Sequence, residues 1–244
     1  MSTGNEMVTR IAANLADRVD GDIGGRTVTD VVQDELYLCL VHLCKKYNIA
    51  EYQREATLEI ANTGYQYDIP TTDSDGNTIR IKNFVSVLLQ EDGDEVWHEL
   101  IGMTMKRRTT VIPTVNSDHQ SRPAYYVIRA NRLEFAPYPD QDYDVNCIVN
   151  VWPAALTDLA AELDIGEEWD EVIENRVTSK CFSKLQQTDD ARQWMGLYKD
   201  ARKETVQLMR DRPDLDFTQF LNGPIVSQPW NDPMVRSIRH GYNF

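Results

Sequence analysis

Asp73-Ser74-Asp75-Gly76-Asn77 is the run whose residue types come nearest to a cation-binding loop. A calcium loop of the EF-hand type places oxygen ligands at positions 1, 3 and 5, glycine at 6 and glutamate at 12. With Gly76 at the glycine position, Thr71 falls at the first and Lys82 at the last, so the frame fails at both ends. A hairpin turn accounts for the run, and turn chemistry also accounts for Asp20-Gly21-Asp22 and Asp92-Gly93-Asp94. Nucleophilic catalysis finds no better support. There is no G-x-S-x-G and no H-E-x-x-H, and His42, His98, His119 and His240 are scattered along the chain. His42 falls inside a helical pattern, as a satisfied core or interface histidine would. There is no phosphate-binding G-x-x-x-x-G-K-[ST]. The four cysteines, Cys39, Cys44, Cys147 and Cys181, each sit in an apolar periodic segment with no C-x-x-C spacing. They read as buried thiols in a reducing compartment, not as zinc ligands. No cofactor or metal is expected. Carboxylates are plentiful, but nothing marks two of them as an acid and a base. A carboxylate-dependent hydrolase acting on a cell-wall polymer is therefore the alternative function, and it requires two carboxylates across a cleft.

The charge itself is more informative. The 244 residues carry 25 basic and 39 acidic side chains, a formal net charge of −14. From Glu134 to Asn175 there is no Lys or Arg, while Glu134, Asp140, Asp142, Asp144, Asp158, Glu162, Asp164, Glu167, Glu168, Asp170, Glu171 and Glu174 all fall there. Just before this block lie Lys106, Arg107, Arg108, Arg122, Arg129 and Arg132. A solvated acidic face with a basic neighbour explains this. So does a self-complementary surface, in which the basic part of one copy meets Glu167, Glu168, Asp170 and Glu171 of the next; such head-to-tail contacts close into rings. An acidic surface also suits DNA that must pass without sticking, since phosphates repel it. The segment around Leu36–Leu43 is too short and too polar to span a bilayer, and Met1–Glu6 lacks the basic and apolar regions of a secretory signal, so no membrane association is expected.

Positioning those charges takes two kinds of element. Glu6–Arg18 reads as a short helix, and Thr27 or Thr29 caps a second one running to about Tyr47, with Val32, Leu36, Cys39, Leu43 and Tyr47 on one face. The middle of the chain changes period. Ala56–Ala61, Tyr65–Ile69 and Tyr143–Trp152 alternate as strands, Ile79–Gln90 is enriched in β-branched and aromatic residues as a strand pair or one long strand would be, Val96–Met105 is a short strand or helical turn, and Ala130-Asn131 joins two runs within Ala124–Phe135 as a hairpin. One antiparallel sheet of five to seven strands is expected. After Glu167 the helical period returns. Trp169, Val172, Ile173, Arg176, Val177, Cys181 and Leu185 mark one helix; Thr188 or Asp189 caps the next, with Ala191, Trp194, Met195, Tyr198, Ala201, Thr205 and Leu208 on its inner face. Trp97, Trp152, Trp169 and Trp194 are expected in the core. The fold class is α+β: a helical bundle (1–50 and 157–210), an inserted antiparallel β region (51–156) and an extended C-terminal arm (211–244).

That arm has four prolines and no period, yet it is rich in apolar residues. It either wraps its own domain or binds another subunit and orders on contact. The second is preferred because disordered tails are poor in large apolar side chains. Phe217, Phe220, Leu221, Trp230, Met234, Ile238, Tyr242 and Phe244 are its candidate anchors.

Arg122-Pro123-Ala124-Tyr125-Tyr126, then Leu133-Glu134-Phe135-Ala136-Pro137-Tyr138-Pro139-Asp140, a strand ending near Pro153, an acidic link, a helix opening with Trp169 and a second carrying Trp194 and Tyr198 form a recognisable series. It resembles the head-to-tail adaptor, or connector, proteins of tailed bacteriophages over Ser121–Arg210. The resemblance implies a helical bundle with an inserted β region and a structural, non-enzymatic role in the virion, at the head–tail junction, after assembly in the host cytoplasm. It further implies a twelvefold homo-oligomeric ring beneath the portal protein, with a tail nozzle or gatekeeper protein below and DNA passing through the channel without specific binding. In several members of that family the extended C-terminus grips the portal, the role that 211–244 would have here.

Overall fold

Threonine caps the N-termini of α-helices three times in this computed structural model, which describes residues 2–16, 22–91, 95–112, 119–156, 159–160, 163 and 165–210. Helix α1 (Gly4–Ala16) opens with a reciprocal cap: Thr3 Oγ1 accepts from the Glu6 amide at 3.2 Å, and Glu6 Oε2 accepts from the Thr3 amide at 2.9 Å. That box sets the start two residues ahead of the Glu6 expected from the sequence. The two-residue strands β1 (Asp22–Ile23) and β2 (Arg26–Thr27) turn at Gly24 and Gly25, both at positive φ. Helix α2 (Val28–Lys46) is capped by Thr27, whose hydroxyl oxygen accepts from the Asp30 amide. Then come β3 (Gln53–Ile60), β4 (Gln66–Asp68), β5 (Ile81–Glu91), β6 (His98–Glu99), β7 (Ile101–Met103), α3 (Met105–Val111), β8 (Tyr125–Arg129), β9 (Arg132–Ala136) and β10 (Tyr143–Val151). A 3-10 turn at Glu167–Trp169 leads into α4 (Asp170–Lys184), and α5 (Thr188–Arg210) follows.

The fold is α+β, in two compact units. The described residues of 2–52 and 152–210 form one and those of 53–151 the other. In the helical unit α4 packs against α1, α2 and α5. It buries Val172, Ile173, Val177, Cys181 and Phe182, each contributing about 1.5–3 kcal/mol as far as its side chain is fully removed from water. Trp169 is fully buried at the head of α4, its ring 5.4 Å from that of Tyr47, the residue that ends α2. The four cysteines are buried and free; burial pushes Cys39, Cys147 and Cys181 up to about 12, which keeps them as neutral thiols.

The β unit departs from the expected single sheet. It holds two four-stranded sheets, in the orders β3-β10-β5-β6 and β4-β9-β8-β7, and β7 pairs with β8 in parallel. The split begins after β3, where Tyr67 Oη both accepts from the Ala61 amide at 2.8 Å and donates to the Ala61 carbonyl at 2.7 Å. This corner sends β4 to pair with β9 instead of extending β3. The parallel pair exists because α3 lies between β7 and β8, as a parallel connection needs a crossover. The hairpin forms at Ala130-Asn131, with Ala130 at φ 52°. Tyr143, Val145, Cys147, Val149 and Val151 of β10 are all buried.

Two core assignments are corrected. Trp97 lies just before the short β6 and is 41% exposed. On α5 the inner stripe runs Ala191, Tyr198, Ala201, Thr205 and Met209, and Leu208 is 63% exposed. Three steps of three or four residues separate Tyr198 from the last position, and both 208 and 209 satisfy a 3.6-residue period within one residue. Met209→Ala should lower stability by about 2–5 kcal/mol, whereas Leu208→Ala should stay within about 0.5 kcal/mol; urea denaturation of the two variants measures the difference.

Candidate assembly surfaces

The basic cluster sits on α3, a seven-residue helix with no apolar period, which is why the sequence pattern does not announce it. Thr104 caps it, accepting from the Arg107 amide. Lys106 is exposed and Arg107 half-buried. Arg108 is different. Its guanidinium is turned into the β unit and meets Glu134 at 3.1 Å, with side chains only 9% and 2% exposed. Glu134 also accepts from Gln66 Nε2 at 2.9 Å and from Arg129 at 3.5 Å. Arg108 is therefore committed within its own chain and is no outward charge. Its partner is the first residue of the acidic block, a pairing that distance in the sequence conceals.

The acidic candidates surround the start of α4. Carboxylates are favoured there, because the unsatisfied amides of a helix N-terminus attract negative charge. Glu167 and Glu171 are exposed and Glu168 and Asp170 half-buried. Asp170 accepts from Arg10 at 2.8 Å and from the Ser2 hydroxyl, so it ties the N-terminal segment to α4. The hydrogen bond to Asp170 raises the pKa of Arg10 above its ordinary value. Asn14 donates to Glu174 at 2.7 Å across the same α1–α4 contact. The arm anchors Phe217, Phe220, Leu221, Trp230, Met234, Ile238, Tyr242 and Phe244 lie outside the described residues, as do Asp158, Glu162 and Asp164.

Two hollows in the β unit bear on catalysis. The larger, about 820 Å³, is lined by Ile69, Phe84, Met103, Tyr126 and Ile128 among others and has no carboxylate in its lining. The smaller contains Asp68 and Glu134. Glu134 is held by Arg108, and Asp68 lies 3.3 Å from Arg132, so neither is presented as an acid facing a base across a cleft. Asp73 closes its turn by accepting from the Asp75 and Asn77 amides, and no group of three possible metal ligands occurs among the described residues.

Residues 2–220 match the SU10 adaptor protein family, and the chain belongs to it. This is a family of phage head-to-tail adaptors. Membership makes the protein a structural component of a bacteriophage virion at the head–tail junction, with portal and tail proteins as partners. No curated protein matches the chain.

Two measurements probe this charge arrangement. Removing one member of a buried ion pair strands the other, so Glu134→Ala should cost about 3–5 kcal/mol, while Lys106→Ala should change stability by less than about 0.5 kcal/mol. Arg108→Met combined with Glu134→Leu should lose less than the two single variants summed. On α2, burial and then the nearby Arg176, Lys46, Arg202 and Lys180 push His42 from its ordinary 6.5 down to about 4. The folded protein thus takes up this proton later than the unfolded chain does. The neutral histidine's contribution is intact above about pH 6.5 and is lost as pH falls toward 4. His42→Gln should flatten the pH dependence of stability in that window, as urea midpoints across it would show.

Proposed function

We propose that the protein forms a ring beneath the portal, joins head to tail and lets DNA pass through its channel. Family membership over residues 2–220 carries this reading. In it, α1, α2, α4 and α5 form the helical bundle of each subunit, and twelve copies close the ring. Neighbours meet through opposite charge. Lys106 and Arg107 belong to the basic side, and Glu167, Glu168 and Glu171 to the acidic side. The unlike surfaces favour a heterologous contact, the type that closes into rings. The excess of acid lets duplex DNA slide past without being held.

The C-terminal arm, 211–244, docks on the portal, and a tail nozzle or gatekeeper protein attaches at the other side. The family match ends at residue 220, so most of the arm's anchors lie beyond the part shared with the family. That suits a segment adapted to one particular portal. Its composition supports the same role: Trp230, Tyr242 and Phe244 are residue types that dominate binding energy when buried at an interface. Assembly takes place in the host cytoplasm before incorporation into the virion.

Deleting Gly223–Phe244 should leave a folded protein that no longer joins portal rings. Co-sedimentation with purified portal, alongside circular dichroism of the truncated chain, checks this. Undiminished binding by the folded truncation would remove the arm from the interface.

A further inference from the structure

Among the described residues of this acidic chain, four cations gather on the helical unit without carboxylate partners. They are Lys46 at the end of α2, Arg176 and Lys180 on α4, and Arg202 on α5. No ion pair to any of the four occurs among the described residues, although neighbouring Lys184 pairs with Glu35 at 2.8 Å. The cluster is ordered by an aromatic ring. The guanidiniums of Arg176 and Arg202 lie 5.2 and 5.4 Å from the centroid of Tyr198, a residue 3% exposed. Cation–π contact holds both in place at a modest gain, about 0.5–2 kcal/mol each.

Two polar atoms in this group lack partners. Tyr198 Oη and His42 Nε2 are both shut from solvent without a hydrogen bond. A buried polar group with no partner costs about 1–3 kcal/mol, and like charges gathered around it add repulsion. Burial and the two arginines also lower the pKa of Lys46. A ligand with negative charge and acceptor oxygens would relieve the repulsion. Fixed guanidiniums suit carboxylates, which they can bind in pairs of hydrogen bonds.

We propose that Lys46, Arg176, Lys180 and Arg202 form a socket for the carboxylates of a second copy of this chain, Glu167 and Glu171. Both glutamates are exposed at the head of α4. Lys180 lies nine residues beyond Glu171, so at 100° per residue the two project from opposite sides of α4. One helix thus offers an acidic end to one neighbour and a basic side to the other, which is the requirement of a head-to-tail contact. Duplex DNA is the weaker candidate for the socket, because the net charge of −14 opposes its approach. The inference rests on the ring reading and places the main basic surface on the helical unit.

Charge exchange in the full chain tests it. The variants are K46E/K180E, E167K/E171K and the fourfold combination, compared with the wild type by sedimentation velocity at about 0.15 M salt, where exposed charges beyond about 8 Å are screened. Unchanged far-UV circular dichroism and thermal midpoints establish that each is folded. Each double variant should need at least about tenfold more protein to assemble, and the fourfold variant should recover part of that loss, because two of the four socket cations are then reversed together with both glutamates. Rings from the double variants at wild-type concentration, or a fourfold variant as impaired as the doubles, would overturn the socket and leave the ring intact. A wild type that stays monomeric alone and with portal would overturn both. Retention of duplex DNA by the wild type and its loss in K46E/K180E would assign the socket to phosphates and overturn it as a subunit contact.

Discussion

Helix α4 has little surface left to give to water, and that burial organises the rest of the molecule. Its partners α1 and α2 come from the start of the chain, and α5 follows it. Two stretches more than a hundred residues apart must therefore fold together, and residues 53–151 have to leave and return as a separate unit. Trp169 fixes the upper end by meeting Tyr47 where α2 stops, and Asp170 fixes α1 through Arg10 and Ser2. The charges exposed on α4 are sorted along its length: Glu171 near the start, Lys180 and Lys184 toward the end. This order agrees with the helix dipole, which favours acid at the N-terminus and base at the C-terminus. The same local preference that stabilises the helix leaves two unlike surfaces on one subunit.

The β unit handles charge in the opposite way. Glu134 is 2% exposed and surrounded by Arg108, Arg129 and Gln66. A pair buried to this degree adds little net stability compared with apolar residues of the same shape, yet it is severely damaging to break. It orients α3 against β9 and leaves Lys106 as the exposed member of the basic triplet. The protein thus contains basic residues of two kinds: those neutralised inside the chain, such as Arg108, and those that are not, with Lys106 and the α2–α4–α5 group among them.

Local chemistry made several elements legible in advance. Thr27 with Asp30 announced α2, the alternation from Tyr143 to Val151 announced β10, and Ala130-Asn131 announced the hairpin. The phage adaptor resemblance rested on residues 121–210 and is confirmed by a family match over 2–220. The missing parts share one cause, dependence on long-range contact. Helix α3 has no apolar period; the Thr104 cap and the Arg108–Glu134 pair help hold it in place, and neither is visible as a local pattern. The division into two sheets depends on a hydroxyl, that of Tyr67, returning to Ala61. Arg108 looked like a surface charge because its partner lies 26 residues away. Arg176 and Arg202 are unremarkable in the sequence, and they become a feature only when Tyr198 brings them together.

A bridge built from many copies of this chain would leave a mass signature. Native mass spectrometry of the full-length protein mixed with its purified portal tests that most directly. One high-mass species containing the portal and many copies of this chain in a fixed ratio is expected. Free portal beside a monomer of this chain, at every mixing ratio tried, would contradict it.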